Sequence, residues 1–428
     1  MSTHSPLFSI VIPTRNRAHL LRSAIRSALD QTFEDYEIIV SNNFSRDNTE
    51  DVVREFAARG VRYVQTDATL SMPDHWEFAL NHARGRYVTY LCDDDALAPE
   101  ALQAVADTIS RTAARLIVLG SAVYVGGDWF VPEYRNCAVL YDYTGREIEY
   151  DRRETYDFLA TCQNTFKVPR MLNCFVERET LERVRARAGR IFLLCPDYSF
   201  GIFIMTGIPT WTYIDSPLRL QGVFPEGIGA MTVYNRGEAL QEFLQEFKDD
   251  NLLKRVPLKV PVVTSNIAET YLEAKEMLPG ELSDFDVDWE QYFLNCWQDI
   301  QKNEANGSKV DEDRAAFFRV LAAQPEEIRA HVLAVAEPPA AQSPQERPFV
   351  KRAISRVVSS SPLLGRLRDS VRKHDETATP QPVAVETPAL SVEDESKAQV
   401  VRGTEAGFAN IVECARKLSS MRAAASHG

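Results

Sequence analysis

The sequence predicts an α/β fold in which a mostly parallel sheet is flanked by helices, with a helical C-terminal extension. Through the first hundred residues, short runs rich in β-branched residues alternate with segments whose apolar residues recur at helical spacing. Strands that alternate with helices in this way form βαβ units and a parallel sheet. Ligands bind outside the carboxyl ends of such strands, so the residues that directly follow each strand are the first candidates for function.

The strands and helices of this part are expected in strict alternation. The predicted strands are FSIVIPT (8–14), YEIIVS (36–41), VRYVQ (61–65), RYVTYLC (86–92) and RLIVLGS (115–121). Helices are predicted in HLLRSAIRSALDQ (19–31), DNTEDVVREFAARG (47–60), DHWEFALNHARG (74–85) and the segment that begins near Pro99. The first helix has Leu21, Ile25 and Leu29 on one stripe, which gives it an apolar face to bury.

The overall composition bounds the function of the chain. It has 428 residues, of which 45% are hydrophobic and 25% charged, and these values are ordinary for a globular protein. The formal net charge of −13 argues against nucleic acid as a partner, because contacts to phosphate need clustered Lys and Arg. No apolar run approaches the roughly 18 residues that span a bilayer, and the N-terminus has no signal pattern. Seven scattered cysteines indicate neither a disulfide framework nor a zinc site, so we expect a cytoplasmic protein.

Three consecutive aspartates, Asp93, Asp94 and Asp95, follow the fourth predicted strand. One interpretation is a solvated turn with a helix cap, because Asp is common where helices begin. The other is a site for a divalent cation, since Mg²⁺ and Mn²⁺ prefer oxygen ligands. Asp93 and Asp95 are spaced to share one face, and a cation bound there would offset the repulsion among the carboxylates.

The segment PTRNR, from Pro13 to Arg17, directly follows the first predicted strand. It is compatible with an ordinary strand-to-helix turn, for which Pro, Thr and Asn are typical. Neither a GxGxxG motif nor a GxxxxGK(S/T) motif occurs in it. A phosphate or nucleotide bound at this point would therefore be held by another device.

Two stretches carry a resemblance to a known family. FSIVIPTRNRAHLLRSAIRSALDQTFEDYEIIVSNNFSRDNT, followed by LNHARGRYVTYLCDDDALAP, resembles the family 2 glycosyltransferases of the GT-A fold. The opening SIVIPTRNR, the pattern SxLxQTF before YEIIV, and the aspartates after the fourth strand match in order and spacing. The resemblance is specific over residues 8–104, fades through about residue 220 and does not cover the remainder.

The resemblance implies roles for the aspartates. The DxD motif of the family holds a metal ion that bridges the diphosphate of a sugar nucleotide. Asp93 and Asp95 match this motif and are expected to bind the metal, Mn²⁺ or Mg²⁺, with Asp95 as the direct ligand. Asp94 is then expected to face hydroxyl groups of the ribose or sugar.

The resemblance also implies donor-binding residues after the first two strands. Pro13, Thr14 and Arg17 are expected along the nucleotide. Asn43 stands where members usually carry the acidic residue that accepts the uracil N3–H, and its amide can still accept that bond. Uridine and deoxythymidine are the expected bases, with guanosine as an open alternative. Cys92 replaces an aspartate of many members and is expected to be a buried strand residue rather than a nucleophile.

A general base must accept the proton of the attacking hydroxyl group. In inverting members of the family, an aspartate at the start of a late helix has this role. Asp197 in LLCPDYSFGIF matches that position, since it follows Pro196 at an apparent helix start. Plain helix capping is the alternative for this residue, and Asp215 and Glu226 are the alternative bases.

We expect four parts of the chain, the first two from the resemblance and the last two from helical patterns and composition. Residues 1–125 are expected to form the half of a GT-A domain that binds the nucleotide sugar, and residues 126–236 the half that binds the acceptor. Residues 237–336 are expected to be a mainly helical extension. Residues 337–428 are expected to contain a linker, a basic amphipathic segment and a largely disordered tail.

The resemblance implies a metal-dependent inverting glycosyltransferase. Its donor would be a nucleotide-diphosphate sugar, with UDP or dTDP as carrier, and its acceptor a hydroxyl group of a glycan or lipid-linked glycan. Synthesis of cell-surface polysaccharide or glycoconjugate is the expected context. A non-catalytic module of the same fold that binds nucleotide sugar or glycan is the alternative. The basic segment 347–374 is either a solvated helix or a peripheral contact with the cytoplasmic membrane face.

Overall fold

The computed structural model describes residues 5–129, 132–162, 167–227, 252–305, 308–336 and 398–425. Within these residues, eleven strands form one sheet and two large hydrophobic cores cover its two faces. The α/β fold expected from the sequence is confirmed. The basic segment 347–374 and the start of the helical extension, up to residue 251, lie outside the described residues.

The first four strands form the parallel part of the sheet. They are β1 (Phe8–Thr14), β2 (Tyr36–Asn42), β3 (Arg62–Gln65) and β4 (Tyr87–Tyr90). Strand β1 lies between β2 and β4 and pairs with both in parallel, while β3 pairs with β2. Alternate residues of β1 enter different cores: Val11 enters one, and Ile10 and Ile12 enter the other. The carboxyl ends of β1, β2 and β4 therefore lie together, as the alternating pattern predicts.

The rest of the sheet is mixed, so the mostly parallel sheet expected from the sequence is limited to its first half and one later pair. The later strands are β5 (Ala96–Leu97), β6 (Leu116–Val125), β7 (Cys137–Leu140), β8 (Glu147–Asp151), β9 (Cys174–Glu177), β10 (Thr210–Val223) and β11 (Gln399–Arg402). Strand β9 lies antiparallel between β4 and β6. Strand β10 runs parallel to β6 and antiparallel to β5, which brings it beside the aspartates that precede β5.

Helices cover both faces of this sheet. In the first half they are α1 (Ala18–Leu29), α2 (Thr49–Arg54), α3 (Met72–Leu80) and α4 (Ala101–Thr112). The middle of the chain adds α5 (Arg152–Ala160), α6 (Arg178–Ala188) and α7 (Pro196–Gly207). The helical extension contains α8 (Val263–Met277), α9 (Trp289–Ala305), α10 (Asp311–Leu321) and α11 (Glu326–Ala336). No helix in the described part of the chain has the length and apolar content needed to cross a bilayer.

Residues 398–425 return to the sheet and add α12 (Gly403–Ala406) and α13 (Ile411–Ala425). Strand β11 pairs with β7, and the Asn136 side chain donates a hydrogen bond of 2.9 Å to the Phe408 carbonyl oxygen. Ile411 and Leu418 are buried against Leu20 and Leu220 in a separate small core. The expectation of a largely disordered tail is wrong for these residues. Local composition gives no sign of their docking, because their partners lie far away in the chain.

Candidate functional site

The three aspartates form a tight turn directly beyond β4. The Asp95 N–H donates to the Cys92 carbonyl oxygen at 3.0 Å and closes the turn. Asp93 and Asp95 are each 2% exposed, whereas Asp94 and Cys92 are partly exposed. The turn therefore lies at the edge of the sheet but does not have the solvated character of a plain surface turn.

Asp93 is held by residues that follow β1. The Thr14 hydroxyl donates to Asp93 Oδ2 at 2.7 Å, and Arg17 Nη1 lies 2.6 Å from Asp93 Oδ1. The second nitrogen of the same guanidinium, Nη2, lies 2.6 Å from Asp94 Oδ2. Arg17 thus bridges two adjacent carboxylates, and PTRNR and the aspartates belong to one site. Pro13 is buried within β1, one residue before Thr14.

Asp95 is held from the other side by β10. Its Oδ2 is ion-paired with Arg219 Nη2, and both side chains are 3% exposed. Its Oδ1 accepts the Gly222 N–H at 2.8 Å. Gly222 allows this approach, because a Cβ placed there would lie 1.7 Å from the carbonyl oxygen of Asp94.

Burial controls the electrostatics of the turn. It raises the pKa of Asp93 to about 7, against the opposing charge of Arg17, and the pKa of Asp95 to about 6, against the opposing charge of Arg219. The carboxylates also repel one another. Ionisation of Asp93 and Asp95 is therefore favoured by nearby positive charge, which the two guanidinium groups supply and which a divalent cation would increase.

The donor atoms for a metal ion are present at this turn. One ligand atom each from Cys92, Asp94 and Asp95 lie within 4.8 Å of one another, and two of the three are the carboxylate oxygens that Mg²⁺ and Mn²⁺ prefer. The residues therefore fit the metal that the family implies. Asp93, which the sequence pairs with Asp95 as a ligand, is outside this group and is directed to Thr14 and Arg17.

Cys92 lies just beyond β4 and is partly exposed rather than fully buried. Burial of its sulfur and the three neighbouring aspartates raise the pKa of its thiol well above the usual value. A protonated thiol is a poor nucleophile, in agreement with the expectation that Cys92 has no such role.

Asn43 lies at the carboxyl end of β2, where the sequence places a base-binding residue. Its N–H donates to the Thr14 carbonyl oxygen at 2.9 Å, which ties it to β1. Its side-chain Nδ2 donates to the Leu70 carbonyl oxygen at 2.8 Å, and its Oδ1 accepts the Leu70 N–H at 2.9 Å. The amide is thus paired with the backbone that leads into α3.

Asp197 occupies the first turn of α7, directly after Pro196, as the sequence predicts. Its Oδ2 lies 3.9 Å from Arg170 Nη1, and its side chain is partly buried. Burial raises the pKa of this carboxyl group, while the positive charges of Arg170 and, less strongly, Arg219 oppose the increase. Arg219, the partner of Asp95, thus also contributes to the electrostatic environment of Asp197.

The two alternative bases have different surroundings. Asp215 Oδ2 accepts the Thr144 N–H at 3.0 Å and the Thr144 hydroxyl at 2.6 Å, so it closes a local turn. Glu226 is partly exposed and lies 3.8 Å from His19 Nε2. Asp197 differs from both in its place at the start of a helix and in the guanidinium group of Arg170 beside it.

Sequence reasoning missed three residues that complete the site, namely Arg170, Arg219 and Gly222. Arg219 interrupts the apolar sequence of β10 and is itself buried, and a buried charge usually has a partner. Gly222 is a glycine inside a strand, which often marks a close backbone approach. These signals mark Arg219 and Gly222 as unusual, but they do not indicate that both contact Asp95.

Comparison with known proteins finds similarity in the first part of the chain. Residues 9–171 match the family model described as Glycosyl transferase family 2. A beta-1,3-glucosyltransferase of Campylobacter jejuni, acting on GalNAc(5)-diNAcBac-PP-undecaprenol by its name, is 38% identical over 100 residues, 23% of this chain and 32% of that protein. The Escherichia coli beta-1,3-glucosyltransferase WfgD is 32% identical over 89 residues, 21% of this chain and 35% of that protein. The matches thus span about a third of these relatives.

Two solved structures are similar over more of the chain. S. aureus TarS in complex with UDP-GlcNAc has 14% identity and a TM-score of 0.43, covering 76% of this chain and 86% of that one. A mannosyltransferase of Pyrobaculum calidifontis in complex with GDP-Man and Mn²⁺ has 17% identity and a TM-score of 0.38. The match covers 78% of this chain and 87% of that one. The sequence match is limited to residues 9–171, which are similar to glycosyl transferase family 2.

Proposed function

We propose that this protein is a metal-dependent, inverting glycosyltransferase. It moves a sugar from a nucleotide-diphosphate donor, UDP or dTDP in the first instance, to a hydroxyl acceptor on a glycan or lipid-linked glycan. The observation that carries the proposal is the aspartate turn at the carboxyl edge of the sheet, in which Asp93 and Asp95 are buried and Asp94 is partly exposed. Asp197, at the start of α7, is a separate carboxyl group with an arginine beside it. The family match supports the reaction class.

The residues of the aspartate turn and its two arginines have different roles at the donor site. Asp95 and Asp94 hold Mn²⁺ or Mg²⁺, while Asp93 keeps Arg17 and Thr14 in position rather than serving as the second ligand expected from the sequence. When bound, the metal supplies positive charge to the departing diphosphate. Arg17 and Arg219 flank the turn and stabilise the same developing negative charge.

Asp197 is the proposed general base. Its pKa is raised by burial, which makes its carboxylate a better proton acceptor, and the positive charge of Arg170 opposes that increase. The acceptor hydroxyl loses its proton to Asp197 as its oxygen attacks the anomeric carbon. The bond between that carbon and the diphosphate oxygen breaks in the same displacement, so the configuration is inverted.

The acceptor and the biological context are proposed from the relatives. Two of them are named for transfer to diphospho-undecaprenol-linked glycans. A lipid-linked acceptor presented at the cytoplasmic membrane face is the corresponding proposal here, within synthesis of surface polysaccharide or glycoconjugate. The segment 347–374 would provide the peripheral contact with an anionic membrane.

Calorimetric titration with UDP-, dTDP- and GDP-sugars, with and without Mn²⁺, tests the donor part of the proposal. Release of nucleoside diphosphate in the presence of a lipid-linked acceptor tests transfer. We expect metal-dependent binding that is lost in Asp95→Asn and kept in the control Asp107→Asn, an exposed position on α4. Equal binding with and without metal, or in both variants, would contradict the metal site.

A second function is favoured by one specific observation. Each of Asp93, Asp94 and Asp95 already has an arginine partner, Arg17 or Arg219, as in a site that needs no metal. A non-catalytic module that binds nucleotide sugar or glycan would have this property. Binding of a nucleotide sugar without any release of nucleoside diphosphate, for every acceptor and metal offered, would favour it.

A further inference from the structure

Phe44 has a conformation and an exposure that are unusual for its residue type. Its backbone has φ 53°, in the left-handed region, which costs a residue with a Cβ about 1–2 kcal/mol. Its side chain is 41% exposed, and it is the aromatic member of the exposed large hydrophobic residues in the described part of the chain. A bulky residue that is both strained and solvated gives the fold nothing, so a role in binding is the natural explanation.

The position of Phe44 is fixed by hydrogen bonds on both sides. The Ser45 N–H donates to Asn42 Oδ1 at 3.0 Å, and the Ser45 hydroxyl accepts the Asn16 N–H at 2.9 Å. Asn16 Oδ1 in turn accepts the Arg46 N–H at 2.8 Å. The loops after β1 and β2 are thus joined, and Phe44 projects from the loop that adjoins Thr14, whose hydroxyl bonds Asp93.

The neighbouring Asn43 has little capacity left for a nucleobase. Its Oδ1 accepts the Leu70 N–H at 2.9 Å and lies 3.4 Å from the Thr66 hydroxyl. Its Nδ2 donates to the Leu70 carbonyl oxygen, and the residue is 3% exposed. Edge recognition of a base by this amide is limited to the second hydrogen of Nδ2 on a nearly buried side chain, whereas the ring of the adjacent Phe44 is exposed.

We infer that Phe44 is the stacking platform for the nucleobase of the donor, and that the site accepts different bases with similar affinity. The inference rests on the proposed function and identifies how that site binds the nucleotide part of its donor. Every base has an aromatic face, so stacking tolerates changes of base. A site built to hydrogen-bond the base edge would instead reject a wrong base by several orders of magnitude.

The test compares the wild type with Phe44→Gly, Phe44→Leu and Phe44→Trp, using UDP, dTDP, GDP and ADP with Mn²⁺ as probes in calorimetry. Gly removes the ring and also relieves the left-handed strain, so it is expected to fold with an unchanged or higher melting temperature. Leu keeps the bulk and the strain but lacks an aromatic face. Trp enlarges the stacking surface.

We expect the wild type to bind the four nucleotides within about tenfold of one another. Phe44→Gly and Phe44→Leu should each lose about tenfold to a hundredfold in affinity for all four, and Phe44→Trp should bind at least as tightly as the wild type. Wild-type affinity in a folded Phe44→Gly would overturn the inference while the proposed function stands. A strong preference of the wild type for one base would overturn the inference that different bases bind with similar affinity. A wild type that binds none of the nucleotides would overturn the proposed function as well.

Discussion

The guanidinium group of Arg219, on β10, is ion-paired with the carboxylate of Asp95, which lies 124 residues earlier in the chain, and both side chains are 3% exposed. A buried pair of this kind adds little net stability by itself, because desolvation cancels much of the attraction. Loss of one partner is different, since the other charge then remains buried without compensation. The pair therefore couples the folding of β10 to the chemistry of the aspartate turn.

The first prediction concerns this coupling. Asp95→Ala should lower the free energy of unfolding by about 3–5 kcal/mol, because Arg219 is left as an unpaired buried cation. It should also abolish Mn²⁺ binding. Urea unfolding measures the first effect and calorimetry the second.

The double variant Asp95→Ala/Arg219→Met separates the two effects. With both charges removed, most of the lost stability should return, since an apolar replacement of a buried pair is often nearly neutral. Mn²⁺ binding should remain absent. If the double variant is no more stable than Asp95→Ala, the pair is not the source of the instability.

The second prediction concerns the close approach of β10 to the turn. In Gly222→Ala, the new Cβ would lie 1.7 Å from the Asp94 carbonyl oxygen, so the aspartate turn must move. We expect a loss of about 1–3 kcal/mol in unfolding free energy and a large loss of donor affinity. Gly127→Ala is the matched control, because its Cβ would meet no atom within 4 Å. Equal effects of the two substitutions on donor affinity would argue against a steric role of Gly222.

The local part of this site could be predicted from sequence. The strands β1, β2 and β4 are short β-branched runs, and the rule that polar residues gather at their carboxyl ends correctly brings Thr14 and Arg17 to the aspartates. Asp197 could be placed at a helix start because Pro196 is typical of the first helical position. Each of these signals lies within a few residues of the feature that it predicts.

The remaining part depends on contacts that no local pattern encodes. Arg219 reaches Asp95, and Asn43 pairs with Leu70, only because distant segments become neighbours in the sheet. The same holds for β11 and α13: the residues of α13 are compatible with a helix, but no local pattern indicates that the two elements pack on β7 and α1. Mixed strand directions were missed because β9 is a four-residue strand without a clear alternation of its own.

The third prediction concerns the C-terminal segment. Arg422, on α13, donates to the Pro217 carbonyl oxygen at 2.7 Å and is ion-paired with Glu100, so it connects β10 to the start of α4. Arg422→Met should lower unfolding free energy by about 1.5–3 kcal/mol, because bonds to charged groups are lost, and should weaken Mn²⁺-dependent donor binding.

Arg416→Ala provides the control for that variant. Arg416 pairs with Asp30 at 2.6 Å and is mostly exposed, so its loss should cost no more than about 1 kcal/mol and leave donor binding unchanged. If Arg422→Met also leaves donor binding unchanged, α13 supports only the stability of the fold.

The fourth prediction concerns pH. His75, on α3, is 4% exposed and its Nε2 lies 2.9 Å from the Ser41 hydroxyl. Burial lowers the pKa of His75 from 6.5 to about 4. The unfolded chain therefore takes up this proton at a higher pH than the folded one. The contribution to stability is complete above about pH 6.5 and is lost as the pH falls towards 4, by about 3 kcal/mol in total.

Urea unfolding between pH 4.5 and about 7.5 measures this loss. His75→Gln keeps a side chain that can bond Ser41 but removes the titrating group. Its unfolding free energy should therefore fall less steeply with decreasing pH, by up to about 1.4 kcal/mol per pH unit. An identical pH dependence in the two proteins would assign the acid sensitivity to another group.

The fifth prediction concerns Asp197. Asp197→Asn preserves the shape of the side chain and its place in the first turn of α7, but the amide cannot accept the acceptor's proton. Transfer should fall by about 10²–10⁴-fold, whereas Mn²⁺-dependent donor binding should change little, because Asp197 is not among the groups that hold the metal. Single-turnover release of nucleoside diphosphate measures the first quantity, and calorimetry the second.

Asp215→Asn is the matched control for this experiment. Asp215 receives two hydrogen bonds from Thr144 and closes a local turn, so its amide variant should lose some stability and retain transfer. If Asp197→Asn transfers normally and Asp215→Asn is inactive, the general base is Asp215, on β10, rather than Asp197. Loss of donor binding in Asp197→Asn would instead mean that this carboxylate acts on the donor, through the charge of Arg219 that it shares with Asp95.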